Sequence, residues 1–228
     1  MLEIIASGGL VGLVIFLLSV TAVAFAVKYF LDLQRKKIVP EKLAEDLREL
    51  LANGQLQAAS ELCQANPCPL SSIVRMGLLE NDGDWDDIEK TLEDGIAEQA
   101  AKLFRKIEIL SVIGNLAPML GLLGTVLGMI TAFQQIAATQ GSAQGPELAR
   151  GIYQALVTTV EGLLVAIPCI GIFAFFRNRI DQFMAELTSR TQAIFLPLKR
   201  YRRRLSNSQR QAPASRSASA GSRTSEGT

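Results

Sequence analysis

The fold is decided by an apolar stretch late in the chain, residues 152–176, which reads IYQALVTTVEGLLVAIPCIGIFAFF. Its only charged side chain is Glu161. A helix needs about 20 apolar residues to cross the hydrocarbon core of a bilayer, so the stretch is long enough to span a membrane. It contains Gly and Pro, which membrane helices tolerate better than soluble ones do. The stretch therefore predicts a transmembrane helix that carries one carboxylate.

Two further stretches have the same character, residues 10–31 and residues 107–133. The alternative for the first is a cleaved signal peptide, but Glu3 stands where such a peptide carries basic residues. The alternative for the other two is the buried core of a soluble protein. Three such stretches in one chain of 228 residues, 49% of them hydrophobic, favour three membrane spans instead.

Basic residues at the ends of the spans predict the orientation. Lys and Arg cluster after the first span, before the second and after the third, whereas the connection between the second and third has only Arg150. This pattern places the N-terminus in the periplasm and the C-terminus in the cytoplasm. The predicted sections are an outer stub 1–9, span 10–31, a cytoplasmic helical domain 32–106, span 107–133, a short periplasmic loop 134–151, span 152–176, a cytoplasmic helix extension 177–205 and a disordered tail 206–228.

The cytoplasmic sections also show helical spacing of apolar residues. Ile88, Leu92 and Ile96 lead into the second span without a breaker, and Ile180 and Phe183 continue the third. The fold class predicted is therefore all-α, a three-span transmembrane protein whose long helices 2 and 3 extend into a cytoplasmic helical bundle.

The composition excludes several kinds of site. The chain has no histidine, which excludes Ser-His-Asp triads, His-ligated haem and H-E-x-x-H zinc sites. Its three cysteines lack zinc-type spacing. We therefore predict no metal, no cofactor and no enzymatic activity.

The basic cluster Lys199 to Arg204 predicts contact with anionic lipid headgroups rather than nucleic acid, because only Tyr201 could stack on bases.

One polar face runs along the third span. Gln154, Thr158 and Glu161 follow at i, i+4 and i+7, and Thr159 lies beside them. A charged carboxylate at the bilayer centre costs about 2.5 to 3.5 kcal/mol on insertion scales. We expect this face to lie against protein or water rather than lipid. The alternative role for Glu161 is a structural hydrogen bond or salt bridge to a neighbouring helix.

The second span offers Thr125 at a similar depth. At 1.5 Å per residue, Thr125 lies about 12 Å from the outer end of its span, and Glu161 about 13 Å from the outer end of the third. Hydroxyls, one carboxylate and water could form a proton path through Thr125, Thr159 and Glu161. The alternative for each threonine is a hydrogen bond to a carbonyl of its own helix.

Small residues predict close approach of helices around this level. Gly124 and Gly128 form a small-x-x-x-small contact motif, with Gly121 one turn away. Pro118 and Pro168 predict kinks, which can also serve as hinges.

Two stretches resemble signatures of the MotA/TolQ/ExbB proton channel family. Residues 117–133, APMLGLLGTVLGMITAF, are similar to the second-span signature, and residues 151–168, GIYQALVTTVEGLLVAIP, to the third-span signature. The resemblance covers about residues 105–180, and the predicted topology agrees with the ExbB and TolQ branches.

The resemblance implies a proton-channel subunit that couples the proton-motive force to work on periplasmic or outer-membrane partners. It implies a homopentamer around a pore, and an ExbD/TolR-like single-span partner that supplies an aspartate. TonB-like or Pal-linked periplasmic proteins follow as further partners. Thr125 and Thr159 match the family's pore-facing threonines. The family's usual glutamate position is occupied here by Gln154, and the carboxylate stands two turns further along, at Glu161.

The residues leave a second function open, a structural membrane scaffold in which Glu161 only stabilises helix packing. The proton-channel prediction requires energised function to depend on Glu161. The scaffold alternative requires only assembly to depend on it.

Overall fold

A computed structural model describes residues 9–80, 84–138 and 145–211 of the chain. Within these ranges the chain forms seven α-helices and no strand. The helices are α1 (Gly9–Asp32), α2 (Arg35–Ile38), α3 (Glu41–Ala52), α4 (Leu56–Ala65), α5 (Pro69–Leu79), α6 (Trp85–Ala138) and α7 (Gly145–Gln211). Nearly all of the predicted outer stub, the centre of the predicted loop and most of the predicted tail lie outside the described residues.

The predicted number of spans is confirmed in that three helices, α1, α6 and α7, are long and apolar enough to cross a membrane, and the three predicted stretches lie within them. The helices α6 and α7 contain 54 and 67 residues. At 1.5 Å per residue they are about 80 and 100 Å long, far more than the hydrocarbon thickness of about 30 Å. Each must therefore continue beyond the membrane. The helix α7 runs to Gln211, past residue 206, where the predicted tail begins.

The chain divides into two compact units. The membrane unit contains residues 9–34 and 100–182, which are α1, most of α6 and the first part of α7. The polar unit contains residues 35–99 and 183–211, which are α2 to α5, the start of α6 and the end of α7.

The polar unit is built on short amphipathic helices. The helix α3 buries Leu43, Leu47 and Leu51, which recur at helical spacing on one of its faces. It ends where Asn53 caps the last turn, and Gly54 then takes a positive φ of 72°, a conformation that favours glycine. The helix α5 begins at Pro69, whose missing N–H costs nothing in the first turn.

The membrane unit has a narrow core and broad apolar outer faces. Ile15, Ala22 and Tyr29 are buried at every seventh position of α1. Large apolar side chains on the other faces stay exposed, for example Leu122 (64%) in α6 and Ile167 (71%) in α7. Lipid or other protein chains must cover such surfaces in a membrane protein.

Candidate functional site

The helices α6 and α7 pack backbone to backbone within the membrane unit. A Cβ atom added at Gly162 would lie 2.5 Å from the carbonyl oxygen of Ala117, and one added at Gly128 would lie 2.8 Å from the Cβ of Ala155. A close contact of this kind recurs along both helices, at Gly114, Gly121, Gly124, Gly128, Gly151 and Gly162. We call this line of close contacts between α6 and α7 the seam. It contains the three glycines that the sequence predicted to pack closely, Gly121, Gly124 and Gly128.

Two threonines of α7 lie in the same seam. The side chain of Thr158 is 2% exposed and faces Gly124, where an added Cβ would lie 2.7 Å from the Cβ of Thr158. Its hydroxyl donates to the carbonyl of Ala155 at 2.7 Å. The hydroxyl of Thr159 donates across the seam to the carbonyl of Gly121 at 3.2 Å. The hydrogen bond of Thr159 therefore joins α7 to α6, whereas the hydrogen bond of Thr158 is made to its own helix.

Thr125 lies on α6 at a level about one helical turn from that of Glu161, measured along the helix axis. Because Gly124 faces Thr158, Thr125 is near the level of Thr158, and Glu161 is three residues further on, about 4.5 Å. The hydroxyl of Thr125 donates to the carbonyl of Leu122 at 2.7 Å. This is the local bond given above as the alternative for a threonine, and it leaves the hydroxyl oxygen able to accept a hydrogen bond.

The two prolines do not interrupt their helices, because α6 is helical through Pro118 and α7 through Pro168. Each lacks an N–H, so the carbonyl four residues earlier receives no helical hydrogen bond from it. For Pro118 that carbonyl belongs to Gly114, a residue of the seam.

Gln154 lies beside α1 rather than in the seam. A Cβ added at Gly9 would be 3.0 Å from its Nε2 atom. Further along, the ring of Tyr29 packs edge-on against Phe176 with centroids 6.5 Å apart. The residue numbers increase along both helices from the first contact to the second, so α1 and α7 run parallel. Glu161, seven residues after Gln154, is thus level with about residue 16 of α1.

Both carboxylate oxygens of Glu161 are buried, and no group in the described ranges 9–80, 84–138 and 145–211 hydrogen-bonds to them. The neighbouring part of α1, residues 9–18, has no polar side chain that could do so. An unpaired buried charge is strongly unfavourable. The site therefore consists of one carboxyl without a hydrogen-bond partner among the described residues, with Thr125, Thr158 and Thr159 at neighbouring levels along the two helices.

The predicted polar face is thus divided between neighbours. Gln154 lies against α1, Thr158 lies against α6, and Glu161 has no hydrogen-bond partner among the described residues. The small residues of α7 that complete the seam, Gly151 and Gly162, were not singled out from the sequence. Gly151 precedes Ala155 and Gly162 follows Thr158 by about one helical turn, and this spacing of small residues could have indicated a close helix contact.

Comparison with known sequences gives a family match over the segment that contains the site. Residues 65–189, which include the seam and the carboxyl, match the MotA/TolQ/ExbB proton channel family. That segment covers more than half of the chain.

Individual relatives agree with this match. The chain is 40% identical over 92 residues to the biopolymer transport protein exbB1 of Vibrio cholerae, which is 40% of each protein. It is 28% identical over 182 residues to a putative biopolymer transport protein ExbB homolog of Methanothermobacter thermautotrophicus, covering 79% of the chain and 64% of that protein. The chain thus spans less than two thirds of these two relatives. A putative ExbB-like protein of Synechocystis is 27% identical, with 86% of the chain and 93% of the relative aligned.

Proposed function

The chain belongs to the MotA/TolQ/ExbB proton channel family, and on that premise we propose that it is an inner-membrane proton-channel subunit of ExbB-like energy transduction. It couples the proton-motive force to work on periplasmic or outer-membrane partners, such as the transport of substrates or proteins. The curated relatives named as biopolymer transport proteins support this branch.

The observation that carries the proposal is the unpartnered carboxyl of Glu161. A carboxyl that binds and releases a proton changes its charge by one unit inside the membrane. The membrane potential supplies about 2.3 kcal/mol per charge per 100 mV, comparable with the cost of about 2.5 to 3.5 kcal/mol for holding that charge there. Proton binding at Glu161 can therefore be driven by the field, and the change of charge can drive a rearrangement.

The proton reaches Glu161 along hydroxyl groups and water in this proposal. Thr159 and Thr158 precede Glu161 on α7, and Thr125 lies on α6 within about one turn. Gln154 lies two turns toward the outer end and extends the polar path. Each of these groups can accept and donate a hydrogen bond, so together they can carry a proton through bound water.

The orientation proposed is N-terminus in the periplasm and C-terminus in the cytoplasm. The basic flanks support it, since Lys and Arg favour the cytoplasmic side. The polar unit is then cytoplasmic.

The working assembly proposed is a homopentamer that encloses helices of an ExbD/TolR-like single-span partner, with TonB-like or Pal-linked proteins beyond it. Support comes from the exposed apolar faces of the membrane unit, including Leu122 and Ile167, which need covering. A buried carboxyl with no hydrogen-bond partner in the part of the chain that the structure describes also suits a site completed by another chain.

The test compares Glu161→Gln, Thr125→Val and Thr159→Val in cells whose energised uptake depends on the partner. Thr131→Val is the matched control, because Thr131 is exposed on α6 and donates only to the carbonyl of Gly128 at 2.8 Å. We expect the first variant to abolish uptake, the next two to reduce it, and the control to leave it unchanged.

Assembly measured on the same variants separates the scaffold alternative. The tight seam of α6 and α7 favours that alternative as the second candidate. Under it, Glu161→Gln would weaken the oligomer in detergent and leave proton-coupled uptake intact. Full uptake in all three variants would refute the channel assignment.

A further inference from the structure

A pocket of about 430 Å³ lies between α6 and α7 within the membrane unit. Its volume is within the range of about 300 to 1,000 Å³ that is typical of small-molecule sites. The lining residues recur every three or four positions on each helix, so the pocket follows one face of both helices. They are Ala101, Phe104, Arg105, Glu108 and Ser111 of α6, with Phe173 and Arg177 of α7.

The two arginines of this pocket lie at a similar level of the membrane unit. The helices α6 and α7 run antiparallel, because successive glycines of α6 meet progressively earlier residues of α7. A Cβ added at Gly114 would lie 2.7 Å from the Cγ1 atom of Ile170, so these two residues are level. At 1.5 Å per residue, Arg105 is about 14 Å and Arg177 about 10 Å from that level, in the same direction. Two long, flexible side chains at this spacing can reach one ligand.

The charges of both arginines are uncompensated. Each side chain is exposed, and neither forms a salt bridge or a hydrogen bond within the described part of the chain. Glu108 lines the same pocket, so the pocket has one positive charge in excess. The hydroxyl of half-buried Ser111 also makes no hydrogen bond to a described residue. The pocket therefore offers two guanidinium groups and a hydroxyl donor to an anion.

The pocket lies where the apolar lengths of both helices end. Beyond it, α6 has no charged residue from 109 to 138, and α7 has none from 162 to 176. Ile170 precedes Phe173 by about one turn on the same face of α7 and is 47% exposed. An open apolar surface thus continues from the charged end of the pocket toward the middle of the membrane. A phospholipid has the same order of groups, a charged phosphate followed by apolar chains.

We propose that this pocket binds an anionic phospholipid, a diacyl phosphodiester with one net negative charge. The guanidinium groups of Arg105 and Arg177 donate to the phosphate oxygens, as basic pockets between membrane helices do for lipid headgroups. Ser111 donates to an ester oxygen, and an acyl chain lies along Ile170. The single excess charge of the pocket is complementary to the single charge of the lipid. Binding of this kind requires only that α6 and α7 cross the membrane, so it does not depend on proton transport.

The experiment titrates the full chain in non-ionic detergent with dioctanoyl phosphatidylglycerol and measures bound lipid by native mass spectrometry. Dioctanoyl phosphatidylcholine has the same chains without net charge, and glycerol 3-phosphate has the phosphate without chains. We expect phosphatidylglycerol to bind at least about ten-fold more tightly than either. Equal binding of the two lipids would overturn the proposal, and equal binding of glycerol 3-phosphate would assign the pocket to a soluble phosphate.

Two variants locate the binding site. Arg105→Gln and Arg177→Gln should each weaken phosphatidylglycerol binding about ten-fold, because each removes a hydrogen bond between charged groups. Lys106→Gln is the matched control, since Lys106 is exposed, follows Arg105 directly and does not line the pocket. It removes the same charge at nearly the same level, and we expect it to weaken binding less than about two-fold. Equal losses from Lys106→Gln and Arg105→Gln would mean that only the overall charge attracts the lipid, and would overturn the site.

Thermal unfolding separates lipid binding from a structural role of the arginines. Without lipid, the variant with both arginines replaced should unfold at the same midpoint as the unchanged chain, because neither side chain has a partner among the described residues. Saturating phosphatidylglycerol should raise the midpoint of the unchanged chain and of Lys106→Gln by several degrees, and that of the double variant much less. A lower midpoint of the double variant without lipid would mean that the arginines support the fold instead. A smaller oligomer of the double variant, with no lipid effect, would assign the pocket to a second copy of the chain.

Discussion

Gly162→Ala tests the seam between α6 and α7 most severely. The added Cβ would lie 2.5 Å from the carbonyl oxygen of Ala117 and 3.2 Å from the Cα of Gly121, and ordinary contact begins at 3.4 Å. Both neighbours are backbone atoms, so no side chain can rotate away. The helices must separate locally by about 0.5 to 0.9 Å, and overpacking of this kind costs about 1 to 3 kcal/mol.

The separation also acts on the hydrogen bond between the helices. The bond from Thr159 to the carbonyl of Gly121 is already 3.2 Å long. An increase of about 0.5 Å takes it beyond hydrogen-bonding distance. We therefore expect Gly162→Ala to reduce both stability and proton-coupled uptake.

The assay is thermal unfolding of the purified chain in detergent. A loss of about 1 to 3 kcal/mol corresponds to a fall in the midpoint of about 2 to 12 °C for a chain of this size. Gly171→Ala is the matched control, because a Cβ at Gly171 meets nothing within 4 Å. Its midpoint should stay the same or rise slightly, since Ala favours helix over Gly. Equal midpoints for the two variants would refute the close-packed seam.

Two predictions concern the polar unit. Hydrogen bonds from Arg35 lower the pKa of Glu186 in the folded chain. The pair therefore stabilises the fold fully above about pH 4.3, the pKa of an unfolded glutamate. This stabilisation is lost as the pH falls through the lower pKa of the folded state. Glu186→Gln should therefore lower the thermal midpoint at pH 7 and much less at about pH 3; an equal difference at both would contradict the pairing. Burial raises the pKa of Cys63 to about 11 from 9.0, which reduces its thiolate about 100-fold at pH 8. Maleimide should label Cys63 far more slowly than half-buried Cys68 in the native chain and equally fast in sodium dodecyl sulfate, whereas equal native rates would contradict its burial.

The elements were largely predictable because their signals are local. The apolar lengths of three stretches predicted three long apolar helices, and the spacing of Ile88, Leu92 and Ile96 predicted that α6 extends beyond its apolar part. Each signal depends on a window of a few residues to about 20 residues, without reference to the rest of the chain.

The contacts of the site were less predictable because they depend on which helix lies beside which face. Gln154, Thr158 and Glu161 share an arc of α7, but α1 meets one side of the arc and α6 the other. Spacing alone fixes the arc and leaves its neighbours open. The same holds for the pocket of Arg105 and Arg177, which exists only because α6 and α7 lie side by side.

The central claim is that Glu161 carries protons, and proton uptake by liposomes under an imposed potential tests it most directly. The liposomes contain the chain and the single-span partner proposed above, and a pH-sensitive dye inside reports the flux. We predict that Glu161→Gln abolishes the flux and that Glu108→Gln, at an exposed carboxylate of the same membrane unit, preserves it. Undiminished flux through the Glu161→Gln complex would contradict the account.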